Sequence, residues 1–207
     1  MTQMIYTIGH SNHSLEYFVV LLRQHAIDTL CDVRSSPYSR TNPQFNREVL
    51  RRVLEKDGIA YVFLGRELGA RSDDPSCYVL GKVQYSCLAG TAVFQKGMDD
   101  LRQHVRTHRI AVMCAEKDPL DCHRAILISR HLHSSGIAVE HILADGTLEN
   151  QSQTIARLLR QLDLEQSELF RSYEDIVEEA YRIQGDRIAY RVNVLSDETN
   201  QMRRSTR

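Results

Sequence analysis

The sequence lacks several features that would place the protein in a special class. No apolar run comes close to the ~18 residues of a membrane-spanning helix, and no basic-then-apolar signal segment opens the chain. The five cysteines are odd in number and show no paired spacing typical of a disulfide framework. These absences predict a protein that is located in the reducing cytoplasm and has no membrane partner.

A strong net charge is also absent. The formal net charge is −1, so the overall balance favours neither nucleic acid nor a membrane surface as a partner. The charge is nevertheless uneven. Between Arg34 and Arg71 eight basic residues face four acidic ones, whereas between Asp145 and Glu179 nine acidic residues outnumber three basic ones. The basic stretch fits an anionic ligand, and it equally fits solvated helix surfaces.

Apolar runs and helical spacing alternate along the chain. The 207 residues, of which 42% are hydrophobic, suffice for a domain with a real core. Short apolar runs bounded by polar residues predict strands, and the segments between most of them show the 3.6-residue period of helices. The predicted strands are Ile5–Gly9, Asp28–Val33, Ile59–Leu64, Arg109–Cys114 and Ile137–Leu143.

This alternation predicts an α/β fold. We expect a three-layer, Rossmann-like arrangement: a mostly parallel sheet of about five strands with helices on both faces. The predicted domain covers residues 1–146, and residues 147–207 form a helical C-terminal extension packed on it, with helices near Gln151–Leu162 and Phe170–Gln184. Residues Gly65–Gly90 show no clear period and predict a long loop. The strand order stays open; one possible order places a crevice between the first and fourth strands.

The candidate catalytic residues follow the fourth strand. Ligands of an open parallel sheet bind at the carboxyl ends of its strands. Cys114 ends this strand and Glu116 follows it, while Cys122 and His123 begin a helix predicted over Asp121–Ser135. A thiol that lies close to a helix N-terminus and to a histidine is suited to nucleophilic or redox chemistry. His123 and Glu116 are the predicted proton carriers. The alternative is that Cys114 is a buried structural cysteine.

The candidate anion-binding residues follow the other strands and enter the same helix. Arginine offers a bidentate fork for phosphate or carboxylate, and serine and histidine add hydrogen-bonding groups. Alternatively, Asp32 and Arg34 share one face of their strand and pair with each other. The predicted set is His10, Ser11, Asp32, Arg34, Ser36 and Arg124.

The spacing of the cysteines does not predict a metal site. Zinc sites usually show tight pairs such as Cys-x-x-Cys, whereas Cys114 and Cys122 stand eight residues apart. We therefore predict no metal ligands and leave the cofactor unknown. Cys31 falls inside the second strand and is expected in the core, and Cys77 and Cys87 fall in the long loop without an assigned role.

Four motifs, in this order, resemble the DUF488 family, a domain of unknown function. The resemblance covers roughly residues 4–145. It implies a compact α/β fold and a grouping of Cys114, Glu116, Cys122, His123 and Arg124, but it supplies no reaction. The motifs are Thr7-Ile8-Gly9-His10-Ser11, Asp32-Val33-Arg34 with Pro37, Leu64-Gly65-x-x-Leu68-Gly69, and Cys114-Ala115-Glu116 through Cys122-His123-Arg124.

Three functions fit these residues. The first is an enzyme that acts on an anionic, phosphate- or nucleotide-like substrate with a Cys/Glu/His/Arg site. The second is a non-catalytic module that binds a nucleotide or nucleic acid at the same place. The third is a metal or redox sensor built on Cys114 and Cys122. The sequence specifies neither the substrate nor the oligomeric state.

Overall fold

One central sheet organises the protein. The computed structural model describes residues 3–164 and 171–192. The strands of these residues are β1 (Met4–Gly9), β2 (Thr29–Asp32), β3 (Ala60–Phe63), β4 (Tyr78–Val79), β5 (Lys82–Val83), β6 (Ile110–Cys114), β7 (Ala138–Ile142) and β8 (Leu148–Asn150). Six of them form a sheet in the order β3-β2-β6-β1-β7-β8, while β4 and β5 form a separate ribbon. The sheet is parallel except for β8.

Helices cover both faces of this sheet, which confirms the predicted three-layer α/β class. They are α1 (Leu15–Gln24), α2 (Arg47–Lys56), α3 (Gly65–Leu68), α4 (Tyr85–Gly90), α5 (Ala92–His104), α6 (Arg130–Ser134), α7 (Gln151–Gln161) and α8 (Tyr173–Ile188). A π-helical segment, Arg124–Ser129, leads directly into α6. None of the helices in the two described ranges combines the length and the apolarity needed to cross a membrane.

The core forms two apolar layers, because successive side chains of a strand point to opposite faces. Ala111 of β6 packs in the layer that holds Phe18 of α1 and Leu50 of α2. Its neighbour Val112 packs in the opposite layer, which holds Phe94 of α5. A parallel sheet covered in this way needs strands that are apolar on both sides, as β6 is.

The sheet has a switch point between β1 and β6. These strands are neighbours, and Gly9 lies opposite Cys114 in the register. The chain leaves β1 towards α1 on one face and leaves β6 towards Arg124–Ser129 on the other. Diverging loops leave a crevice at the carboxyl ends of the two strands. The first and fourth predicted strands correspond to β1 and β6. The crevice therefore lies where one of the strand orders left open by the sequence placed it.

The segment Gly65–Gly90 corrects the sequence prediction of a long loop. It holds α3, the β4–β5 ribbon and α4, and a disulfide joins Cys77 to Cys87. These elements are only two to six residues long, too short to show a period. The cysteine prediction also missed a pair, because the two partners stand ten residues apart and meet only once the ribbon between them has formed.

Two further elements differ from the prediction. The helix expected over Asp121–Ser135 begins as the wider π-helical segment, in which the hydroxyl of Ser129 donates to the carbonyl of Arg124 at 2.7 Å. Such widened turns occur frequently at functional sites. The sheet also gains an antiparallel edge strand, β8, after a turn in which Gly146 adopts φ +86°. A glycine makes this left-handed turn without steric cost.

The C-terminal extension contributes helices that pack on the α/β core. Ile155 of α7 and Ile176 of α8 contact a small apolar cluster with Leu120 and Ile126. Beyond α8 the backbone returns to the ribbon, where the N–H of Val83 donates to the carbonyl of Tyr190 at 3.0 Å. Phe170, the predicted start of the last helix, and residues 193–207 lie outside the described residues. The division of the chain at residue 146 stays a prediction.

Candidate functional site

The crevice between β1 and β6 is closed at its base by a glycine. A Cβ atom at Gly9 would lie 1.8 Å from the carbonyl oxygen of Glu116, so no other residue fits without displacing that loop. The N–H of His10 donates to the carbonyl of Cys114 at 2.9 Å and extends the strand pairing beyond Gly9. These contacts fix the segment that carries Cys114 and Glu116.

Two cysteines and a histidine meet at the end of β6. The Sγ atoms of Cys114 and Cys122 lie 3.6 and 3.7 Å from Nδ1 of His123, and all three side chains are buried. Nε2 of His123 lies 3.2 Å from the carbonyl oxygen of Val33. Because a carbonyl only accepts, Nε2 carries a proton; Nδ1 then faces both sulfurs, as an acceptor in the neutral ring and as a donor in the charged ring. The imidazole is thus oriented towards the thiols.

A carboxyl group adjoins these thiols. Sγ of Cys122 lies 2.9 Å from Oε2 of Glu116, so a proton bridges the two groups. Much of Glu116 is exposed, but its carboxyl turns inward, where burial and the neighbouring Cys122 raise its pKa. A carboxyl group with a raised pKa keeps its proton to a higher pH than a free carboxyl group does, which favours a role as a proton donor.

The two thiols differ in their tendency to ionise. Burial opposes ionisation of Cys122, but the hydrogen bond from Cys114 and the positive charge of Arg124 outweigh burial and lower its pKa. The same hydrogen bond, together with burial, raises the pKa of Cys114. Burial also opposes the charged form of His123, but the negative charge of Cys122 outweighs it and raises the pKa of the imidazole. The charge of the pair therefore resides mainly on Cys122.

Arg124 holds the loop beside the thiols. Its side chain is completely buried, and Nη1 and Nη2 donate to the carbonyls of Glu116 and Lys117 at 2.7 and 3.1 Å. Its backbone N–H donates to Sγ of Cys122 at 3.4 Å. The sequence predicted an anion-binding role for this guanidinium; in the structure its terminal nitrogens face backbone carbonyls instead.

Arg34 is paired with Asp32, the alternative that the sequence left open. Nε and Nη2 of Arg34 donate to the two carboxylate oxygens of Asp32 at 2.9 and 2.6 Å. The hydroxyl of Tyr61 donates to the same carboxylate at 2.7 Å. The remaining terminal nitrogen, Nη1, donates to Nε2 of His10 at 3.3 Å. Asp32 therefore balances the charge of Arg34 and fixes its orientation.

His10 is held in its neutral form. Its Nδ1 donates to the carbonyl of Ser11 at 2.8 Å, and its ring stacks on Phe45 with 4.3 Å between the ring centres. Burial, aided by the charge of Arg34 and opposed by the hydrogen bond to Ser11, lowers the pKa of His10 to about 4. At neutral pH this side chain is a hydrogen-bonding surface and carries no charge.

A cavity of about 360 Å³ opens above these groups. Six of the ten predicted site residues line it. The thiol of Cys114, the imidazole of His123 and the carboxyl group of Glu116 therefore face the same cavity as Arg34. The six are His10, Arg34, Ser36, Cys114, Glu116 and His123. The predicted residues that do not line it are Ser11, Asp32, Cys122 and Arg124.

A family model described as "Domain of unknown function DUF488" matches residues 14–131, more than half of the chain. The chain belongs to the DUF488 family. This match includes the whole Cys114–Arg124 cluster and ends well before the C-terminal extension. No curated protein and no solved structure matches the chain. The family description contains no reaction, so the function has to be argued from the site.

One wall of the cavity in this DUF488 protein consists of residues that the sequence did not predict as site residues. Arg71 lies at the rim with its guanidinium carbon 4.1 Å from the centre of the Tyr190 ring. Within the described ranges no acidic side chain lies at salt-bridge distance from Arg71. Tyr190 and its neighbour Ile188 come from the C-terminal extension, and no motif links that segment to the strand ends. Ser35, Ser39 and Asn42 complete the polar part of the lining.

A larger cavity, of about 890 Å³, lies between α4, α6 and α8. Its charged side chains largely neutralise one another, because Arg130 pairs with Glu178 and Arg171 pairs with Glu179. It contains none of the predicted site residues. We therefore place the candidate functional site at the smaller cavity, where the predicted reactive groups lie.

Three arginines of the basic stretch Arg34–Arg71 make close contacts with other side chains. Arg34 pairs with Asp32, Arg51 pairs with Glu55 at 2.7 Å, and the guanidinium of Arg47 lies over the ring of Phe63. A phosphate backbone needs several unpaired lysines or arginines along its path, and other basic residues of the stretch, such as Arg52 and Lys56, are exposed. Nucleic acid as a partner therefore stays a prediction.

Proposed function

We propose that this DUF488 protein is an enzyme that acts on a small anionic substrate bound in the 360 Å³ cavity. One observation carries the proposal: the same small cavity is lined by a thiol (Cys114), an imidazole (His123), a carboxyl group (Glu116) and two arginines (Arg34 and Arg71). A volume at the lower end of the usual range for ligand sites suits a metabolite of modest size.

Cys114 is the group that meets the substrate in this proposal, since Cys122 lies behind the lining. A thiol must lose its proton before its sulfur can react. Two acceptors are in reach: Nδ1 of His123 at 3.6 Å and the sulfur of Cys122, to which Cys114 donates its hydrogen bond. Glu116, bonded to Cys122 at 2.9 Å, extends this path to the cavity. The cluster can thus move a proton between the reacting sulfur and the bound molecule.

The anionic character of the substrate follows from the cations of the lining. The charge of Arg34 is balanced by Asp32, and its Nε and Nη2 already donate to Asp32 and to the carbonyl of Phe45, so Arg34 can offer a ligand one hydrogen bond from Nη1. Arg71 supplies the uncompensated charge at the rim. Serine hydroxyls add neutral donors. One phosphate or carboxylate group on the substrate fits this distribution of charge.

The test is protection of Cys114 from alkylation by a library of small anions that includes phosphate, pyrophosphate, carboxylic acids and nucleoside monophosphates. Labelled peptides are identified by mass spectrometry, and Cys31, completely buried in β2, serves as the internal control that stays unlabelled. We expect at least one anion class to protect Cys114 and to be consumed by the wild type.

The matched variants are Cys114→Ser and Arg106→Ala, the latter removing an exposed arginine outside the cavity lining. We expect Cys114→Ser to bind the protecting anion but to lose turnover, while Arg106→Ala keeps both. Failure of every anion to protect Cys114, or unchanged turnover in Cys114→Ser, contradicts the proposal.

A further inference from the structure

We propose that Cys114, Cys122 and His123 form a binding site for a thiophilic divalent metal ion, with zinc as the expected occupant, and that the ion's fourth coordination position faces the cavity. Metal binding itself does not depend on the proposed function. Only the use of the ion, to hold an anionic substrate beside the cluster, rests on that function; with the ion bound, the ion in place of Nδ1 of His123 would keep Cys114 deprotonated.

The distances between the three ligand atoms carry this inference. Tetrahedral zinc with Zn–S bonds of about 2.3 Å and Zn–N bonds of about 2.0–2.1 Å separates a bound sulfur from a bound nitrogen by about 3.6 Å. The two sulfurs lie 3.6 and 3.7 Å from Nδ1 of His123, and all three atoms lie within 4.8 Å of one another. The side chains therefore already stand near the corners of a coordination tetrahedron.

The surroundings of the three residues support coordination. Metal-binding histidines almost always donate their other ring N–H to a carboxylate, a carbonyl or water, and Nε2 of His123 faces the carbonyl of Val33. The backbone N–H of Arg124 donates to Sγ of Cys122, which stabilises negative charge on the sulfur. Both interactions leave Nδ1 of His123 and a lone pair on Sγ of Cys122 available for coordination.

Charge and softness select the kind of ion. Two thiolates and one imidazole favour zinc or another thiophilic ion over magnesium or calcium, which prefer oxygen. A coordinated thiol is deprotonated outright, so a divalent ion balances the charge of both sulfurs. Cys114, Cys122 and His123 are at most 5% exposed, and burying two thiolates without such a counter-charge is costly.

The site keeps one side open. Structural zinc sites use four protein ligands, whereas catalytic ones use three and leave a position for water or substrate. Among the three ligands, Cys114 and His123 line the cavity and Cys122 does not. Glu116 also lines it, and its carboxyl lies against Cys122. Glu116 would therefore lie beside an ion bound here, with its carboxyl group next to the open coordination position.

The spacing of the ligands explains why the sequence predicted no metal. Cys114 ends a strand and Cys122 lies just before the next helical segment, so eight positions separate them. The adjacent His123 completes the set only because the π-helical segment starts immediately after it. Neither part resembles the short Cys-x-x-Cys pairs of common zinc motifs.

The test is titration of chelator-treated protein with Co²⁺ and Zn²⁺ in the absence of any substrate. We expect one equivalent of Co²⁺ to bind, with a sulfur-to-cobalt charge-transfer band in the near ultraviolet and intense visible bands typical of tetrahedral cobalt. Zn²⁺ should displace the cobalt and protect Cys114 and Cys122 together from alkylation in the wild type. Absence of stoichiometric uptake, or uptake without sulfur-to-cobalt bands, overturns the inference.

Variants assign the ligands. We expect Cys122→Ser and His123→Ala to weaken zinc binding by at least ~100-fold, more than the loss of an outer-shell partner does. Cys31→Ala and the double variant Cys77→Ser/Cys87→Ser should still bind one equivalent, which excludes the other cysteines. Loss of binding in either control contradicts the assignment. The wild-type alkylation pattern remains decisive if a ligand variant does not fold.

The two proposals fail separately. Stoichiometric zinc binding without turnover of any anion overturns the proposed function and leaves the metal site standing. Turnover that persists at the full rate in protein that takes up no metal overturns the metal site and leaves the proposed function standing.

Discussion

Tyr190 lies beneath Arg71, with the guanidinium carbon 4.1 Å from the ring centre, and this pair joins the C-terminal extension to the rim of the cavity. Stacking on an aromatic ring contributes ~0.5–1 kcal/mol at an exposed site and holds the guanidinium in one place. The pair thus holds the uncompensated charge of Arg71 in a fixed position in the cavity lining.

Replacement of this ring should weaken substrate binding. We expect Tyr190→Ala to raise the dissociation constant of the protecting anion by about two- to five-fold, because Arg71 loses its support. Tyr173→Ala, which removes an exposed tyrosine at the start of α8, is the matched control and should bind as the wild type does. Isothermal titration of both variants decides; equal affinities for the two argue against a binding role for Tyr190.

The contact between Gly9 and Glu116 predicts a second effect. In Gly9→Ala the new Cβ cannot lie 1.8 Å from a carbonyl oxygen, so the loop must move, and we expect a loss of about 1–3 kcal/mol in the free energy of unfolding. Metal uptake should fall as well. Gly90→Ala, whose Cβ meets no atom within 4 Å, is the control in urea unfolding. A stable Gly9→Ala protein with full metal uptake contradicts this prediction.

The Cys77–Cys87 disulfide should stabilise the ribbon without serving the site. It closes a loop of ten residues, and loop closure of this length is worth about 2–3 kcal/mol. We expect Cys77→Ser/Cys87→Ser to lower the free energy of unfolding by about that amount under oxidising conditions. The same comparison in the presence of a strong reductant should show almost no difference, and a difference that persists there assigns the effect to packing.

The buried neutral histidines should lower the free energy of unfolding at acidic pH. Nε2 of His141 donates to Gln151 and its Nδ1 accepts from the hydroxyl of Thr7, both at 2.7 Å. Burial, aided by the charge of Arg124, lowers the pKa of His141 from 6.5 to about 4. Between pH 6.5 and 4, the unfolded chain therefore binds a proton at this histidine and the folded chain does not. The contribution to the free energy of unfolding is complete above pH ~6.5 and is lost as the pH falls towards 4.

The size of this effect is about 3 kcal/mol once the pH has fallen through both values. His10, with a pKa also about 4, should act in the same direction. We expect His141→Gln to flatten the slope of unfolding free energy against pH between 6.5 and 4, whatever its absolute stability. His133→Gln, at an exposed position, is the control; an unchanged slope in His141→Gln refutes the assignment.

The sequence predicted the sheet and most of the reactive cluster because both depend on local patterns. Apolar runs of strand length marked the five central strands, and the rule that ligands bind at strand ends selected Cys114, His123 and Glu116. The structure brings these residues together with Cys122. Their catalytic roles remain predictions.

What the sequence could not reveal depends on contacts between distant segments. Arg124 follows a histidine in a motif that suggests anion binding, but its burial under the Lys117 loop becomes visible only when the loop is placed. Tyr190 carries no signal of its own, because its position follows from the packing of α8 and the pairing of the chain with Val83. The elements of residues 65–90 are too short for periodicity to detect.

The wall formed by Ile188 and Tyr190 has a consequence for the transfer of function among relatives. The reactive groups lie inside the region that defines the family, residues 14–131, whereas this wall lies outside it. Under the proposed function, the reacting groups and part of the substrate selectivity are therefore encoded in separate parts of the chain. We expect a relative with the same cysteines but a different C-terminus to bind a different anion, so a substrate found for one member should be extended only to members that share this wall.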